Sequence, residues 1–115
     1  VAQDPDCIFC RIASGDVPAQ VVARTDRVVA FRDLDPQAPL HVLVVPVEHH
    51  RDVPALAAAD PEVLAEVTAT AARVASELDD GQFRLVFNTG AGVGQSVFHV
   101  HGHVLGGRPM GWPPG

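Results

Sequence analysis

Three of the chain's six histidines fall at alternate positions in "FHVHGHVL", as His99, His101 and His103, and this spacing admits only some chemistry. In an extended strand the side chains at i, i+2 and i+4 share a face, about 6.7 Å apart in sequence and about 13 Å between the outer two. Zinc ligand atoms sit only about 2 Å from the metal, so one ion cannot take all three. The row must be divided between jobs, with at most an adjacent pair on any one ion. A solvated face is the plain alternative for one or two histidines, but three buried together leave several ring nitrogens to satisfy. Imidazole also serves as a nucleophile without a separate base: with an ordinary pKa near 6.5, about three quarters of it is neutral at pH 7.

Just upstream, "NTGAGVGQS" alternates Gly90, Gly92 and Gly94 and then offers Gln95 and Ser96. Glycines let backbone N–H groups converge on an anion, and Ser96 adds a hydroxyl donor, although a glycine-rich turn alone is usually a hairpin loop. It is neither a Walker A loop nor a dinucleotide fingerprint, because Gly-Lys-Ser/Thr is absent and the next element reads as a strand. Beside the histidine row, it reads as a phosphate cradle next to a nucleophile. Cys7 and Cys10 are too few for a disulfide scaffold and suggest redox chemistry or metal binding.

The elements that must hold these groups are legible from pattern. "CIFCRIAS" before Gly15 reads as a short helix. Val21 to Arg24 and Val28 to Arg32 suggest a hairpin around "TD", and "HVLVVP" at 41–46 is a strand covered on both faces and ended by Pro46. Asp60, Pro61 and Glu62 start a helix whose stripe of Val63, Leu64, Val67, Ala71, Val74 and Leu78 carries it to about Asp79. Residues 82–88 form a strand, and the histidine row forms another with Phe98, Val100 and Val104 turned to the core. Five strands, two helices and hairpin-length links predict an α+β domain on a mostly antiparallel sheet.

At 115 residues a single domain over 1–115 is expected, with a polar leader at 1–6 and a turn-rich tail at 106–115 that orders only if Trp112 docks. A net charge of −6 with no lysine argues against a DNA or RNA backbone tracker. The longest apolar run, Val42 to Val45, is far short of a membrane span, and with no secretion signal the expected location is the cytoplasm.

The row His-x-His-x-His with two apolar residues after it, together with "NTGAGVGQS", "DLDPQAPLHVLVVP" and the ending "GGRPMGWPPG", resembles the histidine-triad superfamily, in its Hint-like nucleotide-binding branch. The likeness runs from Cys7 to Gly115. It implies that His101 attacks the α-phosphorus of a purine nucleoside phosphoramidate, forming a nucleotidyl-histidine that water hydrolyses. His103, Ser96 and the glycine loop through Gly94 and Gln95 would stabilise the phosphoryl oxygens, with Ser96 or the imidazole network supplying the leaving amine's proton. His41 would support the triad, Asp33 would bind the ribose hydroxyls, and Asn88 would bind ribose or phosphate. Ile8, Phe9, Phe31, Leu34 and Leu43 would enclose the base, although Leu43 reads equally as core.

The same resemblance assigns His99, with Cys7, Cys10 and His49, to structural zinc, a chemically complete Cys2His2 set; no cofactor is required for catalysis. Free thiols or a thioredoxin-like pair are the competing readings, the latter lacking its preceding strand. His50 beside His49 leaves the fourth ligand ambiguous. Gly102 stands where an apolar residue is usual, which loosens packing behind the strand. A homodimer is implied, with the long helix and the Trp112 tail at its interface. Dinucleoside polyphosphate hydrolysis and a nucleotide-sensing module with little turnover are the rival functions.

Overall fold

The computed structural model describes residues 3–115. Its spine is β3 (Leu40–Pro46), buried at every position. Alternate residues feed two cores: Leu40, Val42 and Val44 face the helical layer, while Leu43 and Val45 face the N-terminal helix. Fully burying one such valine or leucine contributes about 1.5–3 kcal/mol, which fixes the register, since a slip of one residue would exchange the two sets.

Around β3 the sheet is five-stranded, in the order β1-β2-β3-β5-β4, with every pair antiparallel. The expected hairpin is present as β1 (Val21–Arg24) and β2 (Val28–Arg32). On one face lies α3 (Pro61–Leu78), started by Asp60, whose carboxylate accepts the Val63 N–H at 3.2 Å. Its buried stripe is Val63, Val67, Thr70, Ala71, Val74 and Ala75, while Leu78 is exposed at the helix end. The short α1 (Ile8–Ser14) covers the other face and stops at Gly15, whose φ of 88° is the left-handed conformation glycine permits.

Four expectations need correction. A further helix, α2 (Val53–Ala59), precedes α3, capped by Asp52 on the Ala55 N–H at 3.0 Å with Pro54 in its first turn. The strand expected over 82–88 shrinks to β4 (Arg84–Val86), an edge strand whose approach is bent by the Gln82 N–H bonding to Asp80. The histidine strand begins only at Gly102, as β5 (Gly102–Gly106). The register Val44↔Gly102 would next set Val100 against Pro46, which has no N–H to give; Val100 bonds instead to the His50 carbonyl at 2.8 Å. Val100 and Val104 are core, but Phe98 is 38% exposed with the Arg51 guanidinium 4.5 Å over its ring. No helix among the described residues is long and apolar enough to cross a membrane.

Candidate functional site

The histidines gather on the α1 side of the sheet, where their hydrogen bonds assign each ring's proton. His101 Nδ1 lies 2.8 Å from the His99 carbonyl oxygen. A carbonyl only accepts, so Nδ1 carries the hydrogen and Nε2 presents a bare lone pair. His41 is the reverse case. The Gln37 backbone N–H donates to its Nδ1 at 3.0 Å, so its proton sits on Nε2, 3.0 Å from His103 Nδ1 and 3.3 Å from Asp33 Oδ2. His103 therefore accepts at Nδ1 and keeps its own proton on Nε2. A bare nitrogen on His101 and an N–H on His103 thus stand on neighbouring rings with centroids 5.0 Å apart.

Burial governs their charge. It lowers the His101 pKa, against the hydrogen bond to His99, and lowers that of His103 to about 4, helped by the neighbouring His101 and His41. His99, fully buried, is lowered to about 4 by the same cause. Near neutral pH these three rings are uncharged.

His99 faces away from this network. Its Nε2–H donates to the Pro46 carbonyl at 2.8 Å, which leaves Nδ1 bare, 3.3 Å from both the Cys7 and Cys10 sulfurs. His49 Nδ1 lies 3.4 Å from the Cys10 sulfur. His50 instead approaches Glu48 at 3.8 Å, which removes the ambiguity about the fourth ligand. Tetrahedral ligands about 2.0–2.3 Å from zinc are about 3.3–3.8 Å from one another; three of the pairs here already have that spacing, and all four ligand atoms lie within 4.8 Å of one another. Burial pushes the Cys10 thiol up to about 11, so a cation is needed to hold it as thiolate. Cys7, Cys10, His49 and His99 can hold zinc.

The remaining expected residues are arranged less uniformly. Phe9 packs edge-on against Phe31 at 5.6 Å and against His101 at 5.0 Å, and Leu43 lies buried in the same cluster. Ile8 is 41% exposed and Leu34 wholly exposed, so neither closes a slot within this chain. Asp33 is partly committed to His41 and to the Asp35 N–H at 2.9 Å. Asn88 is half-buried beside Gly94. Ser96 is exposed and lines a cleft of about 470 Å³ with Cys7, Ile8, His49, Arg51 and Phe98.

Gln95 does something the sequence did not announce. Buried at 3% exposure, its amide donates to the Arg51 and Val97 carbonyls and accepts the Gly90 N–H, bolting the glycine loop to the chain before α2. The N–H groups of Gly90, Val93, Gly94 and Gln95 all bond inside that loop, so they shape it and do not point outward. Two partners that set the proton map, the Gln37 N–H and the Pro46 carbonyl, are backbone groups. No side-chain type could have signalled them.

A model of the HIT domain matches residues 14–110. The chain is 45% identical to a HIT family hydrolase of Legionella pneumophila, whose crystal structure superposes with a TM-score of 0.89 over 96% of this chain and 100% of that one. It is 42% identical to a 14 kDa zinc-binding protein of Brassica juncea, over 96% of this chain and 100% of the relative. To the adenylylsulfatase HINT1 of Arabidopsis thaliana it is 41% identical, over 97% of this chain and 78% of the relative. On the match to its domain model, and on relatives aligned along nearly its whole length, this chain belongs to the HIT domain family.

Proposed function

We propose that this protein hydrolyses the P–N bond of purine nucleoside 5'-phosphoramidates through a nucleotidyl-histidine on His101. The observation that carries the reading is the bond from His101 Nδ1 to the His99 carbonyl, which leaves Nε2 free to attack. As Nε2 bonds to the α-phosphorus the P–N bond breaks, and the departing amine takes a proton from His103 Nε2–H or the Ser96 hydroxyl. Water then attacks phosphorus, the bond to Nε2 breaks, and the water's protons restore the donor and leave with the nucleotide. His103 and Ser96 also steady the phosphoryl oxygens, with the loop at Gly94 shaped by Gln95. Asp33 and Asn88 serve the ribose and phosphate side, and Phe9, Phe31 and Leu43 the base, with Ile8 and Leu34 left open to solvent in the single chain.

His99 acts outside the reaction, as a zinc ligand with Cys7, Cys10 and His49; His41 acts by orienting His103. Bound zinc supplies a structural clamp on α1, not a reacting group. A homodimer agrees with an open edge at β4 and with Trp112, 83% exposed in a single chain. The name of the Arabidopsis relative favours one second reading: the same nucleophile acting on an adenylyl group whose leaving group is sulfate. The test is mass spectrometry of protein quenched during turnover of adenosine phosphoramidate, adenylyl sulfate and diadenosine polyphosphate in turn. A nucleoside monophosphate adduct on His101, fastest with the phosphoramidate, is expected. Nucleotide binding with no adduct from any of the three would leave only a binding module.

A further inference from the structure

The metal cluster and the bare ring nitrogen share a residue. His99 turns Nδ1 to the two sulfurs while its carbonyl oxygen takes the His101 Nδ1–H. A second contact runs beside the first. Phe9, set between the two cysteines in α1, lays its ring edge-on against His101 at 5.0 Å and against His99 at 6.1 Å. A helix of seven residues is too short to persist alone, so the seat of Phe9 depends on its packing against Phe31, Leu43 and Val45 and on what holds the cysteines.

The His99 peptide lies ahead of β5, outside the ladder of the sheet. It is restrained by the Val100 N–H on the His50 carbonyl, by the His99 ring on the Pro46 carbonyl, and by whatever ligates Nδ1. We propose that zinc held by Cys7, Cys10, His49 and His99 makes His99 a positioning residue for the nucleophile: ligation locks its peptide, and that carbonyl locks His101 in the Nδ1–H tautomer with Nε2 bare. This rests on His101 being the nucleophile. A carbonyl whose own residue is anchored through its ring by a metal is a fixed acceptor, whereas one on a peptide free to rotate lets the His101 proton exchange between its two nitrogens.

The test compares zinc-loaded protein, chelated protein and His49→Ala, which removes a ligand from outside the histidine row. Long-range ¹⁵N–¹H correlation spectra should show a single Nδ1–H tautomer for His101 when zinc is bound, and averaged ring-nitrogen shifts after chelation or in the variant. Phosphoramidate kcat should fall about 10–100-fold with KM changed less than twofold, and zinc should restore wild type alone. If His49→Ala does not fold, His49→Asp keeps a weaker oxygen ligand, and kcat must then follow zinc occupancy measured by chelator competition. A His101 tautomer and a kcat indifferent to occupancy overturn the proposal. The spectra need no turnover, so an absent adduct in the loaded enzyme sinks the hydrolase reading separately.

Discussion

Two groups of metal-ligating side chains lie close together in this fold, and distance alone does not tell them apart. Cys7, Cys10, His49 and His99 form one, Asp33, His41 and His103 the other, and in each the ligand atoms all lie within 4.8 Å of one another. The difference is behind the rings. His99 has a carbonyl at its back, which takes the Nε2 proton and leaves a lone pair facing the sulfurs. His41 has an N–H at its back, from Gln37, which occupies Nδ1 and forces the proton to Nε2, toward Asp33 and His103. A cation between Asp33, His41 and His103 would have to displace that proton or break the Gln37 bond. The first group is therefore suited to hold a metal and the second to pass a proton, and the backbone groups behind His99 and His41 decide which.

The sharpest break in this contrast is His101→Ala. Loss of the proposed nucleophile should lower turnover by roughly 10⁴–10⁶-fold and abolish the adduct, while zinc content and nucleotide binding persist. Next is the metal centre. Metal analysis should find one tightly held zinc per chain, and Cys10→Ser should lose it and lower Tm by roughly 10 °C or more, because ion binding and the docking of α1 are one equilibrium. Two tight equivalents per chain would refute the distinction drawn from Gln37. His41→Ala should keep the zinc and cut kcat about 10–100-fold, because His103 loses the donor that fixes its proton on Nε2.

The pH dependence probes the second group. His103 has a folded-state pKa lowered by burial to about 4, against about 6.5 unfolded. Between those values the unfolded chain binds the extra proton, so the ring's contribution to stability falls as pH drops from about 6.5 to 4 and levels off below. The acid limb of kcat, set by protonation of the bare His101 nitrogen, should lie below 6.5, and a limb at or above 6.5 would mean a solvated ring.

Much of this was legible before any coordinates. Strand spacing and bond lengths say only that one ion cannot take the whole row; the assignment of His99 to zinc and of His101 and His103 to the reaction comes from the family resemblance, whereas the cap at Asp60 places α3 nearly to the residue. The helix at 53–59 carried the same signature, an aspartate cap and a proline in the first turn, but its run "VPALAAA" has only Leu56 buried and shows no stripe to notice. The late start of the histidine strand depends on which strand it pairs with, since only the register against β3 sets Pro46 opposite Val100. The inward turn of Gln95 and the proton on His99 depend on backbone carbonyls far along the chain, at Arg51 and Pro46, and the proton on His41 on the backbone N–H of Gln37; no side-chain pattern encodes such partners.

The smallest expected effect concerns Gly102, between His101 and His103, where the sequence suggested loose packing. The space is filled: a Cβ there would stand 2.9 Å from Leu85 Cδ1 and 3.1 Å from the Phe87 ring. Both of those side chains are half-buried, on and just after the edge strand, so they can give way. Overpacking costs about 1–3 kcal/mol, and the lost freedom of the unfolded chain offsets about 0.4–1 kcal/mol of that, since Gly102 needs no left-handed backbone. Gly102→Ala should therefore destabilise by about 1 kcal/mol in denaturant unfolding, leave zinc affinity unchanged, and alter kcat by less than about threefold. A large loss of kcat with zinc intact would mean that the proton network tolerates less displacement than the metal centre, and that the sheet behind it, not the carbonyl at His99, sets its geometry.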